Sequence, residues 1–190
     1  LEAIRRRQSH RRYTEDPFSL EELSFLLWAS QGARETVERQ GRTYAMRTVP
    51  SAGARHPFET YLLANRVTGL DPGLYRYLPV DHKLCALEAV PDLVNQLHFA
   101  CFGQYVAESA VTLVWAALPY RTEWRYAIFS PKVIALDAGH VCQNLYLAAT
   151  AIGAGACAIG AYNQAAMDAV LGLDGEDEFV IYMATVGRVK

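Results

Sequence analysis

Between Val133 and Ala154 the chain carries one acid, Asp137, and no basic side chain other than His140. Val141, Leu145, Ala148 and Ile152 recur there at helical spacing and the opposite face is rich in alanine, which predicts a central helix surrounded by other elements. Gly153 and Gly155 break it. No run in the chain reaches about 18 uninterrupted apolar residues, so the helix belongs to a globular core and not to a membrane span.

A chain of 190 residues has the length of one ordinary domain, and residues 1–190 are read as one. Hydrophobic residues make up 52% and charged residues 20%, which is apolar for a lone monomer and points to a subunit interface or a buried cofactor. The formal net charge of −2 gives no overall attraction to nucleic acid or to an anionic membrane. Basic residues are nonetheless clustered: Arg5, Arg6, Arg7, Arg11 and Arg12 lie together, and Arg188 and Lys190 close the chain. Cys85, Cys101, Cys142 and Cys157 form no CxxC pair, which fits reduced, mostly buried thiols in a cytoplasmic protein.

The remaining elements interleave without a regular βαβ rhythm, which favours an α+β fold over a doubly wound sheet. Residues 4–12 read as arginine-laden helical turns. Ser19 caps the next helix, with Glu22 completing a capping box, Leu23, Leu26 and Leu27 as its apolar stripe, and an end near Gly32. The polar, glycine-punctuated stretch from Ala33 to Met46 reads as a mobile excursion. Strands are expected at Glu59 to Ala64, Leu74 to Tyr77, Ser109 to Ala117 and Phe179 to Ala184, with a short apolar segment at Cys157 to Ile159. Further helices are expected from Pro91 to about Phe102 and from Gln164 to Leu171.

Three segments can carry chemistry. Arg7, Ser9 and Arg11 alternate, so in an extended chain two guanidinium forks and a hydroxyl converge on an anion; the same run also suits a solvated helix face or tail. Pro50 to Pro57 forms a compact loop presenting backbone N–H groups, Ser51 and Arg55, either around a planar polar ring or as a structural turn. The glycine-rich stretch from Gly153 to Ala161 lets backbone approach a flat ligand or lets elements pack tightly; it matches neither the dinucleotide fingerprint nor the phosphate loop. Trp124, Tyr126 and Phe129 suit a substrate pocket or the core. The histidines lack metal-ligand spacing and Ser51 lacks a nucleophile-elbow motif, so no metal and no serine nucleophile are assigned.

Taken in order, these pieces resemble the nitroreductase superfamily of FMN-dependent oxidoreductases. The likeness runs through Arg7-Gln8-Ser9-His10-Arg11, Pro17 to Leu23, Leu26 to Gly32, the Pro50 loop, Asp137 to Leu145, the glycine-rich segment and Val186-Gly187-Arg188. The Ser51 to Pro57 loop and Gly139-His140 with Gln143-Asn144 are most similar to its SagB or thiazole-oxidase branch. The resemblance implies an intertwined homodimer with a central antiparallel or mixed sheet. It also implies that Arg7, Ser9, Arg11 and Arg188 hold the FMN phosphate and ribityl chain, that Ser51, Gly53 and Arg55 border the ring, and that Ile159, Gly160 and Ala161 lie against it near Gln143 and Asn144. NAD(P)H would supply electrons and a nitroaromatic, quinone or similar acceptor would receive them, with no catalytic triad. Two alternatives stand beside this reading: oxidation of a heterocyclic or peptide-derived, azoline-like substrate with oxygen reoxidising the flavin, and a non-catalytic flavin-binding dimer. Arg125 and Tyr126 occupy the place of the lysine-tyrosine pair of azoline oxidases, and arginine does not cycle a proton near neutrality.

Overall fold

Leu62 and Leu63, like Leu113 and Val114, are neighbours in sequence but belong to different cores. Successive strand side chains point to opposite faces, so a strand whose every residue is apolar requires cover on both sides. The computed structural model describes residues 1–39 and 41–190. Its elements are α1 (Glu2–Arg6), α2 (Leu20–Gln31), β1 (Ala33–Arg39), β2 (Arg42–Arg47), β3 (Phe58–Ala64), β4 (Gly73–Leu78), β5 (Lys83–Ala86), α3 (Leu93–Ala100), β6 (Val111–Ala117), α4 (Tyr120–Tyr126), α5 (Ser130–Ala151), β7 (Ala154–Ile159), α6 (Gln164–Leu171) and β8 (Phe179–Arg188).

Six strands form one sheet in the order β5-β4-β3-β6-β8-β7, antiparallel at every pairing. Helices α2 and α5 cover one face, where Leu23, Leu26, Val141 and Leu145 meet Leu62, Leu113, Trp115 and Ala184. Helices α3 and α6 cover the other, where Leu97 and Met167 meet Leu63, Val114 and Met183. The result is an α+β fold with the sheet as its middle layer. Each fully buried leucine of the sheet contributes about 2–5 kcal/mol by the usual cost of truncation to alanine.

Local chemistry sets the helix ends. The Ser19 hydroxyl accepts from the Glu22 N–H while the Glu22 carboxylate accepts from the Ser19 N–H, so α2 starts on a complete capping box. At α6 the Asn163 side chain accepts from the Ala166 N–H, and Gly172 closes the helix in the left-handed region.

Three expectations change. Helix α1 stops at Arg6, and the chain then runs extended: Ser9 bridges Ala156 in parallel and the His10 N–H donates to the Ala156 carbonyl at 2.9 Å. The edge strand β7 offers unpaired backbone groups, and capturing residues 7–10 satisfies them better than a frayed, like-charged helix would. The stretch from Ala33 to Met46 is a hairpin of β1 and β2, in register from Thr36↔Ala45 to Arg39↔Arg42. Helix α5 is long and apolar as expected but lies on the sheet with one face covered; Leu136, Gly139, His140 and Gln143 are exposed on the other. No helix among the described residues is long and apolar enough to cross a membrane.

Candidate active site

Because residues 7–10 run extended, Arg7, Ser9 and Arg11 alternate along one segment at the β7 edge. The Ser9 hydroxyl lies 2.9 Å from the Tyr146 hydroxyl, which accepts from the Ala158 N–H at 2.8 Å. Tyr146 can therefore donate to Ser9 and leave the serine hydrogen for an anion. The Arg7 guanidinium stands 5.3 Å from the centre of the Tyr146 ring. Among the described residues neither Arg7 nor Arg11 has a carboxylate within ion-pair distance, so both forks have unmatched charge.

Arg188, expected in the same set, already has a carboxylate partner. Its backbone pairs with Ala154 beside this segment, but its guanidinium contacts Glu22 at 2.5 Å and the Ile152 carbonyl at 3.5 Å, above the Phe18 ring. A carboxylate is the natural partner of a half-buried fork, and here the capping-box glutamate supplies it.

The glycine-rich stretch divides in two. A Cβ at Gly155 would lie 2.6 Å from the His10 Cβ and 2.5 Å from a Val189 methyl, so this glycine serves the close approach of two chain segments, not of a ligand. Gly160 is different: it is exposed, its nearest neighbour would be Tyr182 at 3.7 Å, and Ala161 beside it is exposed too. Among the described residues no hydrogen bond engages the N–H of Gly160 or Ala161. Ile159 turns its side chain into the core beneath α3 and α6, so only its backbone can face a ligand.

A second cluster forms around the Pro50 to Pro57 loop. Asp137, 3% exposed, accepts from the Ser51 hydroxyl at 2.6 Å and from the Ala52 N–H at 3.1 Å. The Ser51 oxygen in turn accepts from the His56 N–H at 2.9 Å. Gly53, Ala54 and His56 all have positive φ, which a β-carbon disfavours by about 1–2 kcal/mol at the two non-glycine positions. The Asp137 anchor offsets that strain. Gly53 packs against α4: a Cβ there would come within 2.9 Å of both Arg125 Nε and the Tyr126 hydroxyl. Arg55 donates to the Gly53 carbonyl at 2.8 Å and stacks on Trp124 at 4.6 Å. Burial first, then the charges of Arg47 and Arg55, pull His56 down to about 4, so its ring is neutral near pH 7.

Trp124 and Phe129 are therefore not core. With Tyr120, Ile128 and Leu136 they form an exposed apolar surface in which Ile128 is 86% exposed. The Asn144 side chain donates to the Ala29 carbonyl and ties α5 to α2, and Gln143 is exposed on the open face of α5.

The two clusters do not meet within one chain. Asp137 and Tyr146 anchor them nine residues apart on α5, roughly 13 Å along the helix axis. Three residues that hold the site together were not assigned from the sequence: Tyr146, Glu22 as the partner of Arg188, and Asp137. Only Asp137 carried a signal, as the lone acid in the long apolar helix.

A candidate nitroreductase of Methanocaldococcus jannaschii is 33% identical over 96% of this chain and 87% of its own length. The trifolitoxin-processing protein TfxF of Rhizobium leguminosarum is 32% identical over 72% of this chain, and TfxB is 27% identical over 82%. The chain spans less than half the length of either, 45% and 43%. Among solved structures, a candidate nitroreductase of Anabaena variabilis superposes with a TM-score of 0.82 at 30% identity, over 87% of this chain and 34% of that one. Another from Ralstonia eutropha gives 0.79 at 29% identity, over 100% and 82%. A Desulfovibrio desulfuricans protein solved with FMN shares the fold, with a TM-score of 0.65 at 22% identity over 98% and 83%. Matched to the family model from residue 4 to residue 188, the chain belongs to the nitroreductase family of flavin oxidoreductases.

Proposed function

We propose that residues 1–190 act as one domain of a homodimeric, FMN-dependent oxidoreductase that moves electrons from NAD(P)H to a small electron-poor acceptor such as a nitroaromatic or a quinone. The observation that carries this reading is the pair of unmatched guanidinium groups, Arg7 and Arg11, flanking Ser9 at the β7 edge. A phosphate needs such neutralisation and such hydrogen bonds. Bound FMN would supply the two-electron chemistry. The residues here bind and orient it: Arg7, Ser9 and Arg11 take the phosphate end, and the free N–H groups of Gly160 and Ala161 face the ring. From Ala156, where Ser9 attaches, to Gly160 the strand runs roughly 13 Å, which separates a phosphate end from a ring end.

The second cluster completes the site in a dimer. A two-fold pairing through the exposed surface of Trp124, Ile128, Phe129 and Leu136 and the open face of α5 brings the Pro50 loop of one protomer to the β7 edge of its partner. Such a pairing also removes the apolar surface from water.

The convergence of Arg125 and Tyr126 on Gly53 favours a second reading, oxidation of a peptide-derived heterocycle, to which the likeness to trifolitoxin-processing proteins adds. The visible spectrum of the purified protein, recorded before and after anaerobic addition of NADH or NADPH, separates the readings. Flavin bands that bleach support the proposal; flavin bands that persist favour an oxidase fed by another substrate. A colourless protein that does not take up FMN refutes both.

A further inference from the structure

Between the β1–β2 hairpin and the Pro50 loop lies a cavity of about 790 Å³, within the range of small-molecule sites. Its charged and titratable walls are Arg39, Arg47, Arg55, His56, Glu59 and Arg121. Four guanidinium groups thus face one carboxylate, and that carboxylate is already shared: Glu59 pairs with Arg121 and, at 2.8 Å, with Arg76. His56 adds no compensating charge.

Arg47 is largely buried yet has no carboxylate partner within ion-pair distance among the described residues. Its fork is largely withdrawn from water, and its one side-chain hydrogen bond among the described residues goes to a neutral acceptor, the Gln31 amide oxygen, at 2.7 Å. Burial pulls its pKa below the ordinary arginine value, Glu59 opposing and Arg121 adding to the effect. A buried cation matched only by an amide is costly unless an anion joins it. Tyr44 and Met46 give the cavity flat apolar wall beside these charges, the pairing of surfaces that suits an aromatic or heterocyclic acid.

We propose that this cavity is a subsite for an oxyanion carried by the enzyme's small-molecule substrate, recognised by Arg47 and Arg121. Arg55 belongs both to the cavity wall and to the loop assigned to the flavin ring, so an anion seated here leaves the remainder of its molecule beside the reacting centre. The inference rests on the oxidoreductase reading for the identity of that molecule, and on the cavity alone for the anion. Two sources share the chemistry: a carboxylate on the electron acceptor, or the 2′-phosphate of the reduced nicotinamide.

Calorimetric titration of the purified protein with 4-nitrobenzoate against 4-nitrobenzamide, and with NADP⁺ against NAD⁺, distinguishes them. The expected result is at least tenfold tighter binding of the member of one pair that carries the additional carboxylate or phosphate, reduced tenfold or more in Arg47→Gln, with the other member and the flavin content unaffected. A preference within the first pair assigns the carboxylate, and one within the second assigns the phosphate. Should Arg47→Gln not fold, Arg121→Gln reads the same preference from the opposite wall. Equal affinities within both pairs, or preferences that survive the substitution, overturn the proposal. A colourless protein that still discriminates would retire the redox reading and leave the subsite standing; a yellow, reducible protein without discrimination does the reverse.

Discussion

Removing the Asp137 carboxylate should release the Pro50 to Pro57 loop. Asp137→Asn keeps the volume but turns one acceptor oxygen into an NH₂ donor, facing either the Ser51 hydroxyl or the Ala52 N–H that now donate to it. A hydrogen bond to a charged, buried acceptor is worth about 1.5–3 kcal/mol. One such bond lost predicts a destabilisation of about 2 kcal/mol, or roughly 4–8 °C in the melting midpoint for a chain of this size. Ser51→Ala should cost a similar amount, because it also strips the acceptor from the His56 N–H. The two losses overlap, so the Asp137→Asn/Ser51→Ala double variant should be less destabilised than the sum by about 1 kcal/mol. Urea unfolding of the four proteins at fixed protein concentration measures the cycle, and limited proteolysis near Ala54 should quicken in each variant. Additivity within about 0.5 kcal/mol would refute the claim that this contact anchors the loop.

Three further outcomes follow from the site. Arg7→Ala should weaken FMN binding about tenfold or more, whereas Glu22→Gln, which keeps a capping-box side chain but frees Arg188, should tighten it; fluorescence titration of apoprotein checks both, and an unchanged affinity in Arg7→Ala removes that residue from the site. A histidine in the unfolded chain titrates near 6.5 while folded His56 titrates near 4, so the unfolded chain binds the proton first and the stability present above pH 6.5 is lost as pH falls toward 4. In His56→Asn, which tolerates the positive φ, stability measured by urea unfolding should fall by about 2 kcal/mol less over that window than in the parent; parallel pH profiles would count against the assignment. Gly155→Ala should push residues 7–13 off β7, costing about 1–3 kcal/mol and lowering FMN retention together, and wild-type behaviour on both measures would show that the contact with His10 gives way freely.

Much of the scaffold was legible because its signals are local. The Ser19 capping box, the span Gln164–Leu171 and the doubly buried β3 and β6 each follow from chemistry within a few residues or from side-chain alternation. The hairpin β1–β2 escaped notice because most of its side chains are exposed, so no apolar alternation marks its strands. For residues 7–13 the sequence leaves helical and extended courses both open: in isolation Arg5, Arg6 and Arg7 continue a helix, and only the open edge of β7, almost 150 residues later, selects the extended one. For the candidate site the sequence offers residue types but not geometry. Arg7, Ser9 and Arg11 do line one edge, but the Ser9–Tyr146 contact spans 137 positions, and nothing local predicts that Glu22 takes the fork of Arg188 or that Asn144 turns to Ala29.

The docking of residues 7–13 on the far sheet edge also sets an order of events during synthesis. These residues leave the ribosome well before their partners in β7 and β8. Until then the arginine cluster has no edge to join, and closure of a loop of almost 150 residues must precede its capture. The proposed phosphate end is thus assembled only once β7 is present, so a chain stalled short of Ala156 already carries Arg7, Ser9 and Arg11 but has nothing to hold them in line. On the proposed assignment, FMN added during refolding should speed only the phase in which residues 7–13 dock on β7.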